Sequence, residues 1–305
     1  MNVHELPLVA FTILAQMSVG SFVILGLVQL SLVRKHGQEA VDKLSGPALY
    51  AIGPAIVLGL IASMFHLGNP MNALNAINHL GSSWLSREIF FGSAFAGLGA
   101  VFAVVEWRRW LTPLLRQVLA GVTALVGLAL VLSMSMVYML PSVPAWNHWA
   151  TPVTFFTTTF LLGALAIGAA FVVVYTVRKR KHADVDEATG ALLRTSLRRI
   201  AASAIVLLGI EFVVLPTYAL DLATGDVHAQ ASAATLMTAG GAVLLTRLAL
   251  VFLGAGLLGF FLYRFAFRGK ERHLVYLATS AFVLVLASET IGRMLFYSSF
   301  DRIGI

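Results

Sequence analysis

Long apolar stretches without Asp, Glu, Lys or Arg recur along the chain and are separated by short polar connections. A helix needs about 20 apolar residues to cross a hydrocarbon core of about 30 Å, so several stretches hold one span and the longest holds two. The pattern therefore predicts eight membrane-spanning helices. Their predicted bounds are residues 7–33, 48–65, 88–105, 117–140, 152–177, 200–220, 240–263 and 274–297.

The composition supports this interpretation. Charged residues make up only 11% of the 305 residues and hydrophobic residues 59%, whereas a soluble chain carries about 25% charged residues. We therefore predict an all-α integral membrane protein, in which residues 1–305 form a single bundle of eight transmembrane helices. No Lys or Arg precedes the first apolar stretch, which is too long for a signal-peptide core, so we expect it to be retained as the first helix.

The absence of cysteine limits the cofactors that this chain itself can hold. It excludes a disulfide framework, a thiolate-bound zinc and an iron–sulfur cluster held by this chain, so any such cluster belongs to a partner. A haem with two histidine ligands needs both at membrane depth, but only His66 lies close to a predicted span. We therefore predict no haem and no metal site, although methionine ligation of a haem stays open.

Positive charges alternate between the two sides of the predicted bundle. Seventeen of the 21 Lys and Arg residues lie in the connections after the first, third, fifth and seventh spans. Cytoplasmic connections keep an excess of such residues, so both termini are predicted on the non-cytoplasmic side. The net charge of +7 therefore sits in short connections between membrane helices, which argues against nucleic-acid binding. The longest of these, residues 178–199, is expected to be a solvated loop at the anionic inner leaflet.

The connection between the second and third spans contains the tripeptide HLG twice. His66 of the first copy falls where the second span ends, because Gly68 and Pro70 follow it at once. Glu88 opens the third span at the same membrane face. Together the two groups could accept protons near neutral pH, although a histidine at a helix end is also a common interfacial polar group. His79 of the second copy lies among turn-forming residues and is expected to be structural.

Four further charges lie within predicted spans, where each is costly unless it is paired or faces water. Glu289 and Arg293 are four residues apart and share a helix face, so an intrahelical or interhelical ion pair that stabilises the bundle is one interpretation. Glu211 and Arg247 could equally form a packing pair or line a functional site, since the sequence does not say which helices are neighbours.

Three sequence blocks resemble one family. They are ASMFHLGNPMNALNAINHLGSSWLSREI at residues 62–89, HELPLVAFTILAQ at residues 4–16 and SETIGRMLFY at residues 288–297. Together they resemble the membrane-anchor subunits of anaerobic dimethyl sulfoxide reductases, the DmsC family. The eight spans with both termini outside are similar to that family's arrangement.

The resemblance implies a haem-free, non-catalytic anchor subunit in the bacterial inner membrane, with periplasmic termini. Such a subunit is surrounded by membrane lipid. It binds menaquinol and oxidises it to menaquinone. Its implied partners are a four-cluster iron–sulfur subunit and a molybdopterin catalytic subunit that reduces dimethyl sulfoxide or a related acceptor. On the family pattern, His66 and Glu88 occupy quinol-site positions, and Glu289 and Arg293 lie in the matching final-helix motif.

The residues and the resemblance lead to one mechanistic hypothesis. His66 hydrogen-bonds one quinol hydroxyl and takes its proton, while Glu88 accepts a proton or relays it to the outer surface. The residues that we expect to form the quinol site are His66, Gly68, Pro70, Arg87, Glu88, Glu289 and Arg293. The connection from Leu67 to Arg87 would form the rim of the pocket and part of the surface that docks the partner.

Three alternatives remain open from the sequence. The same kind of anchor could work in reverse and reduce quinone for a sulfur-compound dehydrogenase such as a sulfite dehydrogenase. A secondary transporter could use Glu211, Arg247 and Glu289 to line its substrate path. A purely structural anchor would tether an enzyme without contacting quinone.

Overall fold

The computed structural model describes residues 5–65, 75, 78–181, 186–239, 241–266, 271–301 and 303. His66, Gly68 and Pro70 therefore lie outside the described residues. Every long element in the described part of the chain is helical. In chain order the helices are α1 (Leu6–His36), α2 (Gln38–Met64), α3 (Trp84–Arg108), α4 (Pro113–Val137), α5 (Ala150–Arg180), α6 (Glu187–Thr224), α7 (Val227–Ala234), α8 (Gly241–Val251), α9 (Gly259–Phe265) and α10 (Glu271–Ser298).

Among these residues, eight helical segments are long and apolar enough to cross a membrane, which confirms the predicted number. The seventh segment runs from Gly241 to Phe265 and contains a π-helical turn region, Phe252–Leu258, between α8 and α9. A second π-helical segment, Thr235–Ala239, joins α7 to α8. The protein is thus a multi-pass helical membrane protein with one short additional helix between its sixth and seventh spans.

The helices extend further at their charged ends than the apolar pattern predicts. Helix α2 begins at Gln38 rather than at residue 48, and α6 begins at Glu187 rather than at residue 200. The prediction of a loop over residues 178–199 was therefore wrong, because α5 continues to Arg180 and α6 covers the second half of that stretch. Lys, Arg, Glu and Ala are good helix formers, so the backbone stays helical where the apolar pattern ends.

Asp186 sets the start of α6. Its side chain accepts a hydrogen bond from the backbone N–H of Thr189 at 2.8 Å, as expected of an N-cap residue. Hydrogen bonds from the Thr189 hydroxyl and N–H lower the pKa of Asp186. The cap lets α6 begin well before its apolar span, and Leu192 and Leu197 then bury this first part of the helix against the bundle.

Helices α1 and α5 form the centre of the bundle and are its two most buried spans. They cross at Gly20 and Gly163, where a Cβ atom on either glycine would overlap the backbone of the other helix. Small residues at a crossing allow the backbones to approach closely, and this contact replaces the hydrophobic driving force that is missing within lipid. The crossing places Gln16 of α1 beside Phe155 of α5, a contact that recurs in the site described below.

We expect Gly163→Ala to destabilise the chain by about 1–3 kcal/mol, because the added methyl group meets helix backbone that has no room to move. The free energy of unfolding in detergent, followed by circular dichroism, measures the effect. Gly26→Ala is the matched control on α1, since nothing lies within 4 Å of its added Cβ atom. Equal stability of the two variants would contradict the role given to this crossing.

The two ends of the bundle differ in character. At the end where α3 begins and α10 ends, here called the aromatic end, the side chains of Tyr138, Trp146, Phe155, Phe296 and Tyr297 cluster together. The opposite end, here called the basic end, carries the connections that are rich in Lys and Arg. There Arg109 bridges Asp42 at 2.6 Å and Glu106 at 2.7 Å, which ties α2 to the end of α3.

Candidate functional site

Glu88 lies inside the bundle at the aromatic end. Helix α3 begins at Trp84, because the Ser83 hydroxyl accepts a hydrogen bond from the Ser86 N–H at 3.3 Å and so caps the helix. Glu88 therefore lies one turn into α3. The apolar pattern had predicted it as the first residue of the span. Only 7% of the residue is exposed.

The surroundings of Glu88 are aromatic and hydroxyl-bearing. Tyr138 and Tyr297 are both buried, and their hydroxyl oxygens are 2.9 Å apart. The carboxyl group of Glu88 lies within electrostatic range of both hydroxyl groups. No described residue forms a hydrogen bond or ion pair with the Glu88 side chain. A largely buried carboxyl group without a partner among the described residues is a ready acceptor for a hydroxyl group of a bound molecule.

An aromatic cluster closes this end of the bundle. Trp146 stacks on Phe296 with 5.5 Å between ring centroids, and its indole N–H donates to the Phe296 carbonyl oxygen at 2.8 Å. Tyr138 packs edge-on against both rings, at 5.3 Å from each. Sequence reasoning missed Tyr138 and Trp146, since aromatic residues are common at span ends and only Phe296 and Tyr297 of this cluster fall in one of the three blocks that resemble the family.

Arg87, which we expected in the quinol site, turns away from Glu88. Its guanidinium donates to the carbonyl oxygens of Leu80 and Gly81, both at 2.8 Å, and lies 4.2 Å from the centroid of the Trp84 ring. Adjacent residues on a helix point in different directions, which explains the separation. Arg87 thus holds the end of the connection against the start of α3. The next residue on the same helix, Glu88, points into the bundle.

Three of the charged residues singled out in the sequence meet in the middle of the bundle. Arg247 of α8 lies 3.3 Å from Glu211 of α6 and 3.7 Å from Glu289 of α10. All three are almost fully buried. The pairing therefore links three helices, and it stabilises charges that would be very costly if left alone in the bilayer.

Glu289 and Arg293 do not pair with each other among the described residues, although they share a face of α10. Glu289 accepts a hydrogen bond from the Thr158 hydroxyl at 2.6 Å and faces Arg247. Its ion pair is therefore interhelical, which is one of the two kinds of pair that the sequence predicted. Arg293 donates to the Gln16 side-chain oxygen at 2.9 Å. Its guanidinium also lies 3.6 Å from the centroid of the Phe155 ring. The aromatic face and the amide of the central helices thus hold the arginine apart from the carboxylate.

Gly292 allows this arrangement. A Cβ atom at this position would lie 2.7 Å from the Arg247 Cζ atom, so the absence of a side chain on α10 leaves room for the guanidinium. Ser288, one turn earlier, donates to the Arg247 carbonyl oxygen at 3.0 Å. The SETIGRMLFY block therefore contributes Ser288, Glu289 and Gly292 to a single contact with Arg247 of α8, whereas its Arg293 faces α1 and α5.

Several polar residues of this network were not foreseen from the sequence. Gln16 and Thr158 carry hydrogen bonds to the charged groups, but Gln and Thr side chains within spans give no signal that they face a charge. Among the described residues, no three His, Cys, Asp or Glu side chains lie together so as to hold a metal ion. What these residues build is a neutral set of two arginines and two glutamates beside an aromatic cluster.

Comparisons with known proteins agree on one family. The family model of the DMSO reductase anchor subunit (DmsC) matches residues 1–299. The chain is 31% identical over 305 residues to the C chain of the anaerobic dimethyl sulfoxide reductase of Escherichia coli K12, covering 99% of this chain and 97% of the relative. It is 29% identical over 297 residues to the protein of the same name from Haemophilus influenzae, covering 97% and 95%.

A further relative matches over a shorter stretch. The C subunit of the sulfite dehydrogenase of Allochromatium vinosum is 32% identical over 142 residues, which cover 42% of each protein. The family model and the first two relatives span almost the whole chain, including all eight apolar segments. The resemblance carried by the three sequence blocks is thereby confirmed, and the chain belongs to the DmsC family of DMSO reductase anchor subunits.

Proposed function

We propose that this chain is the haem-free, quinol-binding membrane anchor of a molybdopterin and iron–sulfur oxidoreductase, and that it oxidises menaquinol at a site formed by His66 and Glu88. The observation that carries the proposal is the burial of Glu88, whose side chain forms no hydrogen bond or ion pair with a described residue and lies within electrostatic range of the Tyr138 and Tyr297 hydroxyl groups. Membership of the anchor family supports the same function.

Oxidation of one quinol releases two protons and two electrons. Different residues accept the two protons. His66 accepts the proton of one quinol hydroxyl, and Glu88 accepts the other or relays it to the outer surface. The hydrogen-bonded hydroxyl groups of Tyr138 and Tyr297 supply the polar side chains near this carboxyl group. An iron–sulfur cluster in a partner subunit would accept the two electrons, and a molybdopterin catalytic subunit would use them.

The aromatic end of the bundle is then the periplasmic end. The charge asymmetry supports this orientation, because the connections rich in Lys and Arg all lie at the basic end and cytoplasmic connections keep such an excess. Both termini and the connection between α2 and α3 would face the periplasm. The iron–sulfur subunit would dock at the aromatic end, close to the quinol.

Reduction of dimethyl sulfoxide or a related acceptor is the better supported direction of electron flow, because the two dimethyl sulfoxide reductase relatives align over almost the whole chain. The partial match to a sulfite dehydrogenase protein favours a second candidate, in which the same site reduces quinone. Menaquinol-dependent reduction of dimethyl sulfoxide by the purified complex tests the first candidate, and sulfite-dependent reduction of a menaquinone analogue tests the second.

Replacing His66 tests the site itself. We expect His66→Ala in the assembled complex to lower menaquinol-dependent turnover by at least about 100-fold, because a proton acceptor at the quinol is lost. Turnover with a reduced dye that feeds the partner subunits directly should be unchanged.

His79→Ala is the matched control, since it changes the second HLG triplet and should leave both activities intact. Equal loss of quinol-dependent and dye-dependent turnover in His66→Ala would sink the assignment, because it would place the defect in assembly rather than in quinol oxidation.

A further inference from the structure

A cavity of about 330 Å³ lies between α5, α6, α8 and α10, and no residue of α3 lines it. The residues that follow α6, including Ala233 and Leu236, cover it at the aromatic end. Most of its wall is apolar. The apolar residues include Leu215, Ala219, Leu244, Leu248 and Phe296.

The inner wall of the cavity is polar and carries unused hydrogen-bonding groups. Arg247, Glu289 and Arg293 all line it, and each is more than nine-tenths buried. The Nε atoms of both arginines and the Oε1 atom of Glu289 have no hydrogen-bond partner among the described residues. Buried polar groups are normally satisfied, so two donors and one acceptor beside an apolar cavity indicate a ligand with matching oxygen atoms.

The way into the cavity runs through the plane of the membrane. Helix α6 packs mainly against α5 and α9, whereas α8 packs against α10, so α6 and α8 make few direct contacts with each other. Phe212 and Pro216 of α6 line the cavity and are also exposed on the outer face of the bundle. A ligand that enters between these helices comes from the lipid and is itself soluble in the membrane.

The charges beside the cavity select a neutral head group. Arg247 and Arg293 balance Glu211 and Glu289, so the wall has no excess positive charge for a phosphate, and an anion would meet the Glu289 carboxylate. A carbonyl oxygen can accept from either arginine N–H, and a hydroxyl group can donate to the carboxylate. A flat ring carrying both kinds of oxygen, with an apolar tail, fits the polar wall and the lipid-facing opening.

We propose that this cavity is a second quinone site, separate from the one at Glu88, in which a quinone or quinol head group hydrogen-bonds with Arg247, Glu289 and Arg293 and the isoprenoid tail leaves between α6 and α8. The inference goes beyond the proposed function and does not depend on it. Glu88 belongs to α3, which packs against α2 and α4 and contributes no residue to the cavity.

Photolabelling of the whole complex tests this site. The complex is placed in nanodiscs of phosphatidylcholine with an azido-substituted isoprenoid naphthoquinone, illuminated, and digested for mass spectrometry. We expect labelled peptides from α6 and α8, and competition by unlabelled menaquinone. Ala219→Trp, which fills the cavity, should lower this labelling by about tenfold or more.

Matched variants separate the possible outcomes. Val213→Trp changes the same helix at a position that is 68% exposed and should leave the labelling unchanged. Glu88→Gln should also leave it unchanged, so failure of the Glu88 site and failure of this site are distinguishable. Leu236→Trp fills the cavity from outside the spans and provides a second test if Ala219→Trp does not assemble.

Two results would overturn the proposal. The first is labelling of α6 and α8 that persists in both cavity-filling variants when these are assembled and helical. The second is labelling that added phospholipid displaces and unlabelled menaquinone does not, because the occupant would then be a lipid. Loss of labelling in the cavity-filling variants, together with competition by menaquinone, supports the site.

Discussion

Glu88→Gln is expected to lower menaquinol-dependent turnover of the complex by about 100-fold, because a proton acceptor next to the quinol becomes an amide that cannot take a proton. The change keeps the size of the side chain, and Glu88 forms no ion pair among the described residues, so the fold should be unaffected. Turnover with a reduced dye should therefore stay at the level of the unchanged protein. Steady-state assays with a menaquinol analogue and with the dye, over a range of pH, give the measurement.

Glu106→Gln is the matched control for this prediction. Glu106 also belongs to α3, but it lies at the basic end, where it pairs with Arg109 and Arg116. We expect this variant to oxidise quinol normally. If Glu88→Gln retained both the rate and the pH profile of quinol oxidation, Glu88 would have no part in the mechanism and the hypothesis would rest on His66 alone.

Arg247→Met is expected to lower the free energy of unfolding by about 3–5 kcal/mol, the cost of breaking a buried ion pair and leaving its partner charged. The loss is large because two carboxylates, Glu211 and Glu289, share this guanidinium and would then face each other in the bilayer. Methionine keeps most of the volume of the side chain, so the effect reports the charge. Unfolding of the purified chain in mixed micelles, followed by circular dichroism, provides the measurement.

Two further variants make this second prediction specific. Arg108→Met removes an exposed arginine at the end of α3, 4.7 Å from the centroid of the Trp107 ring, and should change stability by no more than about 0.5 kcal/mol. Combining Arg247→Met with Glu211→Gln and Glu289→Gln should recover much of the lost stability, because neutral amides replace the stranded carboxylates. A triple variant as unstable as Arg247→Met alone would show that packing, and not charge, dominates at this position.

The candidate site could be foreseen from the sequence only in part. Charged residues are rare within spans because the hydrocarbon core penalises them, so Glu211, Arg247, Glu289 and Arg293 stand out at once. The residues that pair with them do not stand out, because a span of a given composition can pack against any of several other spans. Glu289 and Arg293 illustrate this, since helical spacing suggested a pair and the structure separates them.

Other contributors carried no signal of their own. Gln16, Thr158 and Tyr138 have side chains that occur in many spans, and their roles depend on the α1–α5 crossing and on how the ends of α4 and α10 meet. The helix bounds were foreseen only where hydropathy sets them. At the basic end, the helices extend beyond the apolar stretches because of helix propensity and, for α6, because Asp186 caps its first turn.

The sequence by itself determined that eight segments, all found as helices among the described residues, are long and apolar enough to cross a membrane, and that their connections alternate between basic and less charged. The reason is that membrane thickness and the cost of burying charge act on each segment separately, whatever its neighbours are. The tertiary structure alone decided which helices touch at Gly20 and Gly163, which carboxylates share Arg247, and where a cavity remains beside Arg293. These features depend on close packing between distant segments, so they arise only when the helices have been assembled.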